Sequence, residues 1–423
     1  PGQEGMLMGT SPFRPGRRAI TRRTAVRRML AASAAVAVPP ALGLAQQATS
    51  GGAIHVERQP TGAEIWQVTT EEFSHSNIYC EVPYCSSDSR YFVYQRSNPK
   101  LSGNRTELMV VELGTWKQDR LDTCTGIGGS AISHDGLFYY LKGTDGGEID
   151  LLRADLADGS IEPVYRLQDD VGIRSLGTVT TDRRYYAGGT KVDPGWTMFD
   201  VLLVDLEEGT QRILDRDPFI LNPHPQFEPG EGRTLMIQHN RGGKYSPDGK
   251  LERLVGPEGA TLYLLSVPDG ERTTLQVGTP DTTACTGHEA WIGDTREMLL
   301  TVSARDDYAP EKGNLLGVRA GEPARVVAKG YRFAHVGVSR CGRLFSCDDF
   351  QGAYPLVIGS NQSGKTAVVC ESKSSPTRSQ NTHPHPYLTP DLKWVIFNSN
   401  RSGFPHIYAA SVPEGMVDQL TAS

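Results

Sequence analysis

Long apolar runs are absent from this 423-residue chain outside its first 50 residues, so nothing there predicts a membrane-spanning helix. A 3.6-residue apolar period is also absent, which excludes a helical solenoid. The seven cysteines form no Cys-x-x-Cys pair, which argues against zinc-finger and thioredoxin-like proteins. No nucleophile elbow, P-loop or dinucleotide fingerprint occurs in a context that would support it, so those enzyme classes are not indicated.

The cysteines are odd in number and widely spaced, so their connectivity cannot be read from the sequence. We expect mostly buried free thiols, allowing for one disulfide in an oxidising compartment. A catalytic cysteine is a minor alternative. The residues concerned are Cys80, Cys85, Cys124, Cys285, Cys341, Cys347 and Cys370.

Residues 1–50 have the pattern of an export signal followed by a short lead-in. Arg22 and Arg23 precede an apolar stretch over residues 29–38, and Gly43-Leu44-Ala45 offers small residues for cleavage. Paired arginines before a modest apolar core indicate a twin-arginine signal, with an ordinary secretory signal as the alternative. We therefore expect a periplasmic or secreted protein with no membrane segment in its mature form, and assign residues 51–423 to a single folded domain.

Basic charge is scarce once the signal is set aside. Residues 1–45 hold seven arginines and one glutamate, which leaves 36 basic and 48 acidic residues, a net charge of −12. A nucleic-acid partner is therefore not expected. An anionic substrate would be repelled by the overall field, so it would need a local cation or basic pocket.

A turn followed by a β-branched or aromatic strand recurs seven times. Most copies start 47 to 50 residues apart, with one longer interval between the fourth and fifth copies. Most copies then enter a second strand that ends in an acidic or glycine turn. Short strands at this period predict an all-β, seven-bladed β-propeller, with Glu64–Thr69 as a suitable closing strand. The copies start at Ser87, His134, Thr181, Gly230, Gly293, Arg340 and Pro390.

Histidine makes up only 10 of the 423 residues, yet four consecutive repeats carry one at the same place. His288, His335 and His385 each lie eight residues before the basic residue of their turn, and His224 lies nine before Arg233. Because the first strand of each blade lines the central channel, these side chains should converge near the axis at one mouth. The alternative without a binding role is a stack of structural histidines that fills the channel.

Gln380-Asn-Thr-His383-Pro-His385 is the densest group of metal-ligating residue types. In an extended strand, His383 and His385 would point to the same side about 6–7 Å apart. Two imidazoles and an amide oxygen suit a borderline divalent cation. A pair of strand histidines in a polar loop is the alternative.

The last repeat resembles the oligogalacturonate lyases, a family of seven-bladed, manganese-dependent pectate-oligomer lyases. The resemblance rests on Gln380-Asn-Thr-His-Pro-His-Pro386 and on residues 395–408, and extends to Cys285-Thr-Gly-His288-Glu-Ala-Trp291 and Ala334-His335. It implies Mn²⁺ or another borderline divalent cation as cofactor, and His288 as the base that abstracts a proton. The metal ligands it implies are His335, Gln380, His383 and His385.

One position departs from the family. The resemblance implies a catalytic arginine at the start of the strand before the His-Glu motif, where this chain has Thr261. Arg241 or Arg253, in the long insertion of the fourth repeat, are the possible replacements. We predict that His224, His239 and Arg241 contact the substrate.

The predicted reaction is β-elimination on a uronate oligosaccharide. A metal ion neutralises the sugar carboxylate, and a neutral imidazole removes the C5 proton, with His288 as the candidate. An acidic oligosaccharide is the expected partner, and we expect a monomer or weak oligomer. The alternatives are a propeller hydrolase or lyase for another polysaccharide, and a non-catalytic periplasmic binding or scaffold propeller.

Overall fold

The computed structural model describes residues 52–102, 106–124, 128–144, 146–168 and 173–422. The predicted export signal, residues 1–50, lies outside the described residues and stays a prediction. Within the described part, the chain forms seven four-stranded antiparallel units, the last of them extended to five strands. This confirms the seven-bladed β-propeller.

In the first, third and seventh copies, the recurring turn is built by a serine or threonine two residues before its aspartate. Ser86, Thr180 and Thr389 each accept, through the side-chain oxygen, the backbone N–H of the residue five positions on. The same hydroxyls donate to the aspartate two residues later. Such local side-chain bonds compete well with regular structure and fix tight turns. The turn therefore sets the hairpin between the first and second strands of a blade.

Two strands precede the first blade: β1 Ile54–Arg58 and β2 Glu64–Gln67. Blade 1 contains β3 His75–Ser76, β4 Tyr91–Ser97, β5 Thr106–Glu112 and β6 Gln118–Cys124. Blade 2 contains β7 Ala131–Ile132, β8 Leu137–Gly143, β9 Ile149–Asp155 and β10 Ile161–Arg166. Blade 3 contains β11 Ile173–Val179, β12 Tyr185–Lys191, β13 Phe199–Asp205 and β14 Thr210–Asp217.

Blade 4 carries an inserted hairpin between its second and third strands, and this insertion explains the longer repeat interval. Its strands are β15 Gln226–Phe227, β16 Thr234–His239, β17 Lys244–Tyr245, β18 Leu251–Arg253, β19 Thr261–Ser266 and β20 Arg272–Thr274. Blade 5 contains β21 Cys285–Trp291, β22 Met298–Val302, the 3₁₀ helix Asp306–Tyr308, β23 Leu315–Val318 and β24 Arg325–Ala328.

Blade 6 contains β25 Phe333–Val338, β26 Leu344–Asp349, β27 Pro355–Ser360 and β28 Thr366–Glu371. Blade 7 begins after the 3₁₀ helix Gln380–Thr382 and contains β29 Tyr387–Leu388, β30 Trp394–Ser399 and β31 His406–Ser411. The short helix α1, Met416–Thr421, follows. None of the helices among the described residues has the length and apolar character needed to cross a membrane.

The ring closes by mixing strands from the two ends of the chain. Strand β2 pairs antiparallel with β31, so that Ile65 lies opposite Ala410, and β1 adds to its outer edge. Ile65 is fully buried in an apolar cluster that includes Phe397 and Tyr408. The predicted closing strand therefore completes blade 7.

The first strand of each blade runs from the mouth of the channel where the histidines lie to the mouth where the serine and threonine turns lie. In blade 6, for example, His335 lies near the start of β25, and Ser339 follows its end. We call these the histidine mouth and the turn mouth. All seven cysteines are free, with only Cys341 exposed, so the predicted free thiols are confirmed and no disulfide forms.

Ring closure can be tested by truncating one closing side chain. Ile65→Ala should lower the free energy of unfolding by about 2–5 kcal/mol, because it leaves a cavity between β2 and β31. Ile54→Ala, in exposed β1, is the matched control and should change it by no more than about 0.5 kcal/mol. Urea unfolding followed by fluorescence measures both, and equal small effects would contradict closure through β2.

Candidate metal centre

Four histidines from three neighbouring blades meet at the histidine mouth. The His335 ring lies 4.4 Å from the rings of both His288 and His385, measured between centroids, and 5.1 Å from the ring of His383. All four are buried. The repeat alignment placed three of them at one structural position, and the structure brings those three together with His383.

The His383–His385 segment is not the strand that the sequence predicts. It follows the 3₁₀ helix Gln380–Thr382, and His385 has a φ of 43°, in the left-handed region. The side chain of Asn77 donates to the His385 carbonyl at 2.7 Å and so holds this unusual conformation. The two rings still stack, with centroids 5.9 Å apart and planes inclined by 23°.

His224 repeats this geometry in blade 4. It also lies between two prolines and also has a φ of 43°. The two flanking prolines restrict the backbone on either side, so strand alternation does not apply to either histidine. The equivalence of His224 and His385 that the spacing predicts thus extends to the backbone itself.

The hydrogen bonds around His335 and His383 leave two bare ring nitrogens facing each other. Nδ1 of His335 is 2.7 Å from the buried Asp348 carboxylate, and Nε2 of His383 is 2.8 Å from the Thr377 carbonyl. Both acceptors require an N–H, so the opposite nitrogens, 3.2 Å apart, are left without protons. Two lone pairs at that distance repel unless a positive charge joins them.

A metal ion satisfies this arrangement better than a proton does. Burial, followed by the neighbouring His335, lowers the pKa of His383 and so opposes an imidazolium. Nε2 of His385 and Oε1 of Gln380 are also buried without a hydrogen-bond partner. His335, His383 and His385 each offer a nitrogen within 4.8 Å of the others. Three imidazoles and one amide oxygen fit a borderline divalent cation.

Asp348 has the position of a supporting residue for this centre. Its second oxygen accepts the backbone N–H of His335, so the carboxylate fixes both the position and the tautomer of that ring. The sequence analysis missed Asp348, because its role depends on pairing between β25 and β26. Thr377 was missed for a similar reason, since a carbonyl carries no side-chain signal.

His288 lies beside the metal centre without sharing its hydrogen bonds. Its Nδ1 is 3.1 Å from the Tyr79 hydroxyl, and Tyr79 comes from blade 1, on the other side of the channel. Burial and the neighbouring imidazoles of His335, His224 and His383 hold the pKa of His288 well below its ordinary value. The ring is therefore neutral at neutral pH, as a proton-accepting base requires.

His224 faces a second buried group on the axis. Its Nδ1 is 2.5 Å from Glu81, and Glu289 of β21 lies close to both. Although burial alone would lower the pKa of His224, the Glu81 carboxylate raises it. Burial raises the pKa of Glu289 to about 8. The predicted contact between His224 and substrate is not tested by these interactions and stays a prediction.

The other two residues predicted to contact substrate have partners of their own. His239, at the end of β16, bonds to Asp217 through Nε2 at 2.9 Å. Arg241 donates to the carbonyls of three residues around the insertion, namely Glu258, Gly259 and Thr279. In this structure the Arg241 side chain stabilises the insertion through these three hydrogen bonds. Its predicted contact with substrate stays a prediction.

An exposed aromatic side chain lies at the histidine mouth, and an exposed arginine lies in the segment that leads to Gln380. The Phe350 ring is 6.0 Å from that of His335 and 6.1 Å from that of His383, and 37% of the residue is exposed. Arg378 lies two residues before Gln380, is exposed, and forms no hydrogen bond or ion pair with the described residues. Neither residue carries a pattern that sequence reasoning could have recognised.

Comparison with known proteins finds relatives among the oligogalacturonate lyases. The chain is 24% identical over 328 residues to an oligogalacturonide lyase of Pectobacterium atrosepticum, covering 68% of this chain and 78% of that protein. It is 23% identical over 337 residues to an oligogalacturonate lyase of Dickeya dadantii, covering 73% and 83%. No protein-family profile matches the chain.

Solved structures agree on the fold. An oligogalacturonate lyase from Vibrio parahaemolyticus superposes with a TM-score of 0.65 at 19% identity, covering 86% of this chain and 97% of that one. An oligogalacturonate lyase in complex with manganese gives a TM-score of 0.66 at 19% identity, covering 86% and 96%.

The fold and the site define a seven-bladed propeller with a candidate metal centre made by histidines at one mouth of its channel. Over most of its length the chain is similar to the oligogalacturonate lyases named above, at 23–24% identity, and it shares the fold of their solved relatives.

The supporting role of Asp348 gives a first test of the metal centre. Asp348→Asn should weaken Mn²⁺ binding by about 10- to 100-fold, because the amide no longer enforces the His335 tautomer. Asp349→Asn is the matched control, since the neighbouring carboxylate accepts the backbone N–H of Arg332 instead. Isothermal titration with Mn²⁺ compares them. Equal affinities for the two variants would show that Asp348 does not support a metal ligand.

Proposed function

We propose that this protein is a lyase that depends on a divalent cation and cleaves oligogalacturonate or a related uronate oligosaccharide by β-elimination. The observation that carries the proposal is the pair of bare nitrogens on His335 and His383, 3.2 Å apart, with the neutral base candidate His288 in ring contact with His335. A cation site and a base side by side are what elimination beside a carboxylate requires. The similarity to the lyases of Pectobacterium atrosepticum and Dickeya dadantii supports the substrate class.

The metal ligands in this proposal are His335, His383, His385 and Gln380, and the cation is Mn²⁺ or a similar divalent ion. When bound, such an ion neutralises the substrate carboxylate and makes the neighbouring C5 proton easier to remove. A structurally similar oligogalacturonate lyase has been solved in complex with manganese, which supports this choice of metal.

Tyr79 positions His288 for proton abstraction. The Tyr79 hydroxyl is 3.1 Å from His288 Nδ1 and 3.5 Å from the Gly287 carbonyl. It can therefore accept a hydrogen bond from the Nδ1–H group while donating one to the carbonyl. Nε2 of His288 then carries the lone pair. Burial keeps the pKa of Tyr79 well above its ordinary value, so the hydroxyl keeps its own proton. The base therefore starts the reaction in its proton-accepting form.

Two residues at the mouth are suited to hold an acidic sugar. Phe350 offers an exposed ring face next to the metal ligands, on which a pyranose ring can pack. Arg378 offers an unpaired guanidinium, which binds carboxylates in a two-pronged contact. Arg378 is thus a better candidate than Arg241 to replace the family arginine that is missing at Thr261, whose hydroxyl donates to the Val277 carbonyl.

The activity itself is tested with short oligogalacturonides and Mn²⁺-loaded protein lacking residues 1–50. We expect ultraviolet absorbance to rise from the unsaturated uronate product and a chelator to abolish the rise. His288→Ala should lower kcat by about 10²- to 10⁴-fold, because the base is lost. The control is His134→Ala, an exposed histidine at the turn mouth, which should leave kcat unchanged. Bound manganese without any product would assign the site to another uronate or another reaction.

Substitution of the two candidate arginines should affect different properties, substrate binding for Arg378 and stability for Arg241. Arg378→Ala should raise KM for oligogalacturonides by about tenfold, the loss of one charge-assisted contact of roughly 1.4 kcal/mol, with little change in thermal stability. Arg241→Ala should instead lower the melting temperature, because three carbonyls lose their donor. Steady-state kinetics and thermal unfolding separate the two. A raised KM for Arg241→Ala alone would restore Arg241 as the substrate contact.

A further inference from the structure

A second group of buried metal-ligating residues lies on the propeller axis, apart from the histidine centre. Glu81 follows the first strand of blade 1, His224 precedes the first strand of blade 4, and Glu289 lies in β21 of blade 5. Each offers one ligand atom within 4.8 Å of the others. Their exposed fractions are 5%, 5% and 0%. Three different blades therefore direct oxygen and nitrogen atoms to one enclosed point.

The Glu289 carboxylate at this point has no hydrogen-bond partner. Both of its carboxylate oxygens are buried, and neither has a hydrogen bond. An ionised carboxylate in that position is costly without a counter-charge, and a protonated one still needs an acceptor for its hydroxyl. Glu81 differs, because it is already bonded to His224 at 2.5 Å. Of the two carboxylates, only that of Glu289 therefore lacks a hydrogen-bond partner.

The same three-residue group has fewer positive than negative ionisable side chains. The charged groups that act on Glu289 are His224 and Glu81, so two carboxylates share one imidazole. The Glu289 backbone carbonyl is bonded by the neutral amide of Gln226, at 2.6 Å, which brings no charge. A cation would favour the ionised form of Glu289, balance the two carboxylates and supply Glu289 with the partner it lacks.

We propose that Glu81, His224 and Glu289 form a second divalent-cation site on the channel axis. Two carboxylates and one imidazole suit a hard-to-borderline ion such as Mn²⁺. The site is distinct from the histidine centre, because the two share no ligand and the Tyr79 ring lies between them. That ring is 4.7 Å from the ring of His385 and 5.4 Å from the ring of His224.

The second ion would be structural. Its ligands join blade 1 to blades 4 and 5 across the channel, and Glu81 lies two residues after Tyr79. Fixing Glu81 fixes the segment that brings the Tyr79 hydroxyl to His288. The inference does not require lyase activity, because it concerns ion binding and stability alone.

The test counts tightly bound manganese in the folded protein. Protein lacking residues 1–50 is loaded with Mn²⁺, dialysed against excess Mg²⁺ to remove surface-bound ions, and analysed for metal. We expect two equivalents in the unaltered protein and one in Glu289→Leu, which keeps the volume of the side chain and removes its oxygens. His383→Ala should also retain one equivalent, at the second site.

Glu297→Leu is the matched control, since it removes another buried glutamate of blade 5, whose partners Arg319 and Arg325 can turn to solvent. It should retain two equivalents. Circular dichroism confirms folding of each variant, and Glu81→Gln replaces Glu289→Leu if the latter does not fold. One equivalent in the unaltered protein, or two in Glu289→Leu, would overturn the second site while leaving the histidine centre and the lyase proposal intact.

Discussion

The antiparallel pairing of β2 with β31 is the constraint on which everything at the axis depends. A propeller site is assembled from blades that are far apart in sequence, so its precision depends on a ring that cannot open. A strand from the other end of the chain closes the ring and joins the seven four-stranded blades into one circle. The Tyr79 hydroxyl of blade 1 can then bond to His288 of blade 5, although the two residues are 209 positions apart in the sequence.

Within that circle, the chemistry is set by hydrogen bonds behind the histidines. Asp348 and Thr377 dictate which nitrogens of His335 and His383 are bare, and Tyr79 does the same for His288. Histidines that merely filled a channel would pair donor with acceptor. Here two acceptors face each other instead, an arrangement that favours a cation over a packing role.

Under the proposed function, this chain would hold an anionic substrate differently from the pattern that the family resemblance implies. Thr261 bonds to a neighbouring carbonyl, and Arg241 is committed to three carbonyls of the insertion. The unpaired guanidinium of Arg378 lies instead in the segment that carries Thr377 and Gln380. Under the proposed function, the means of binding substrate charge has moved from the fourth blade to the metal-binding segment of the seventh, which is consistent with identities of 23–24% to the lyases.

The sequence by itself determined the number of blades, the closing strand and the shared position of His288, His335 and His385, because turn chemistry and strand period are local properties. It also carried the candidate ligand set, mostly through a motif contained within six residues. Only the tertiary structure decided the left-handed backbone of His385, the protonation pattern of the imidazoles and the meeting of Glu81 with His224 and Glu289. Those depend on contacts between distant blades, and a side chain's burial and partners exist only after the ring has closed.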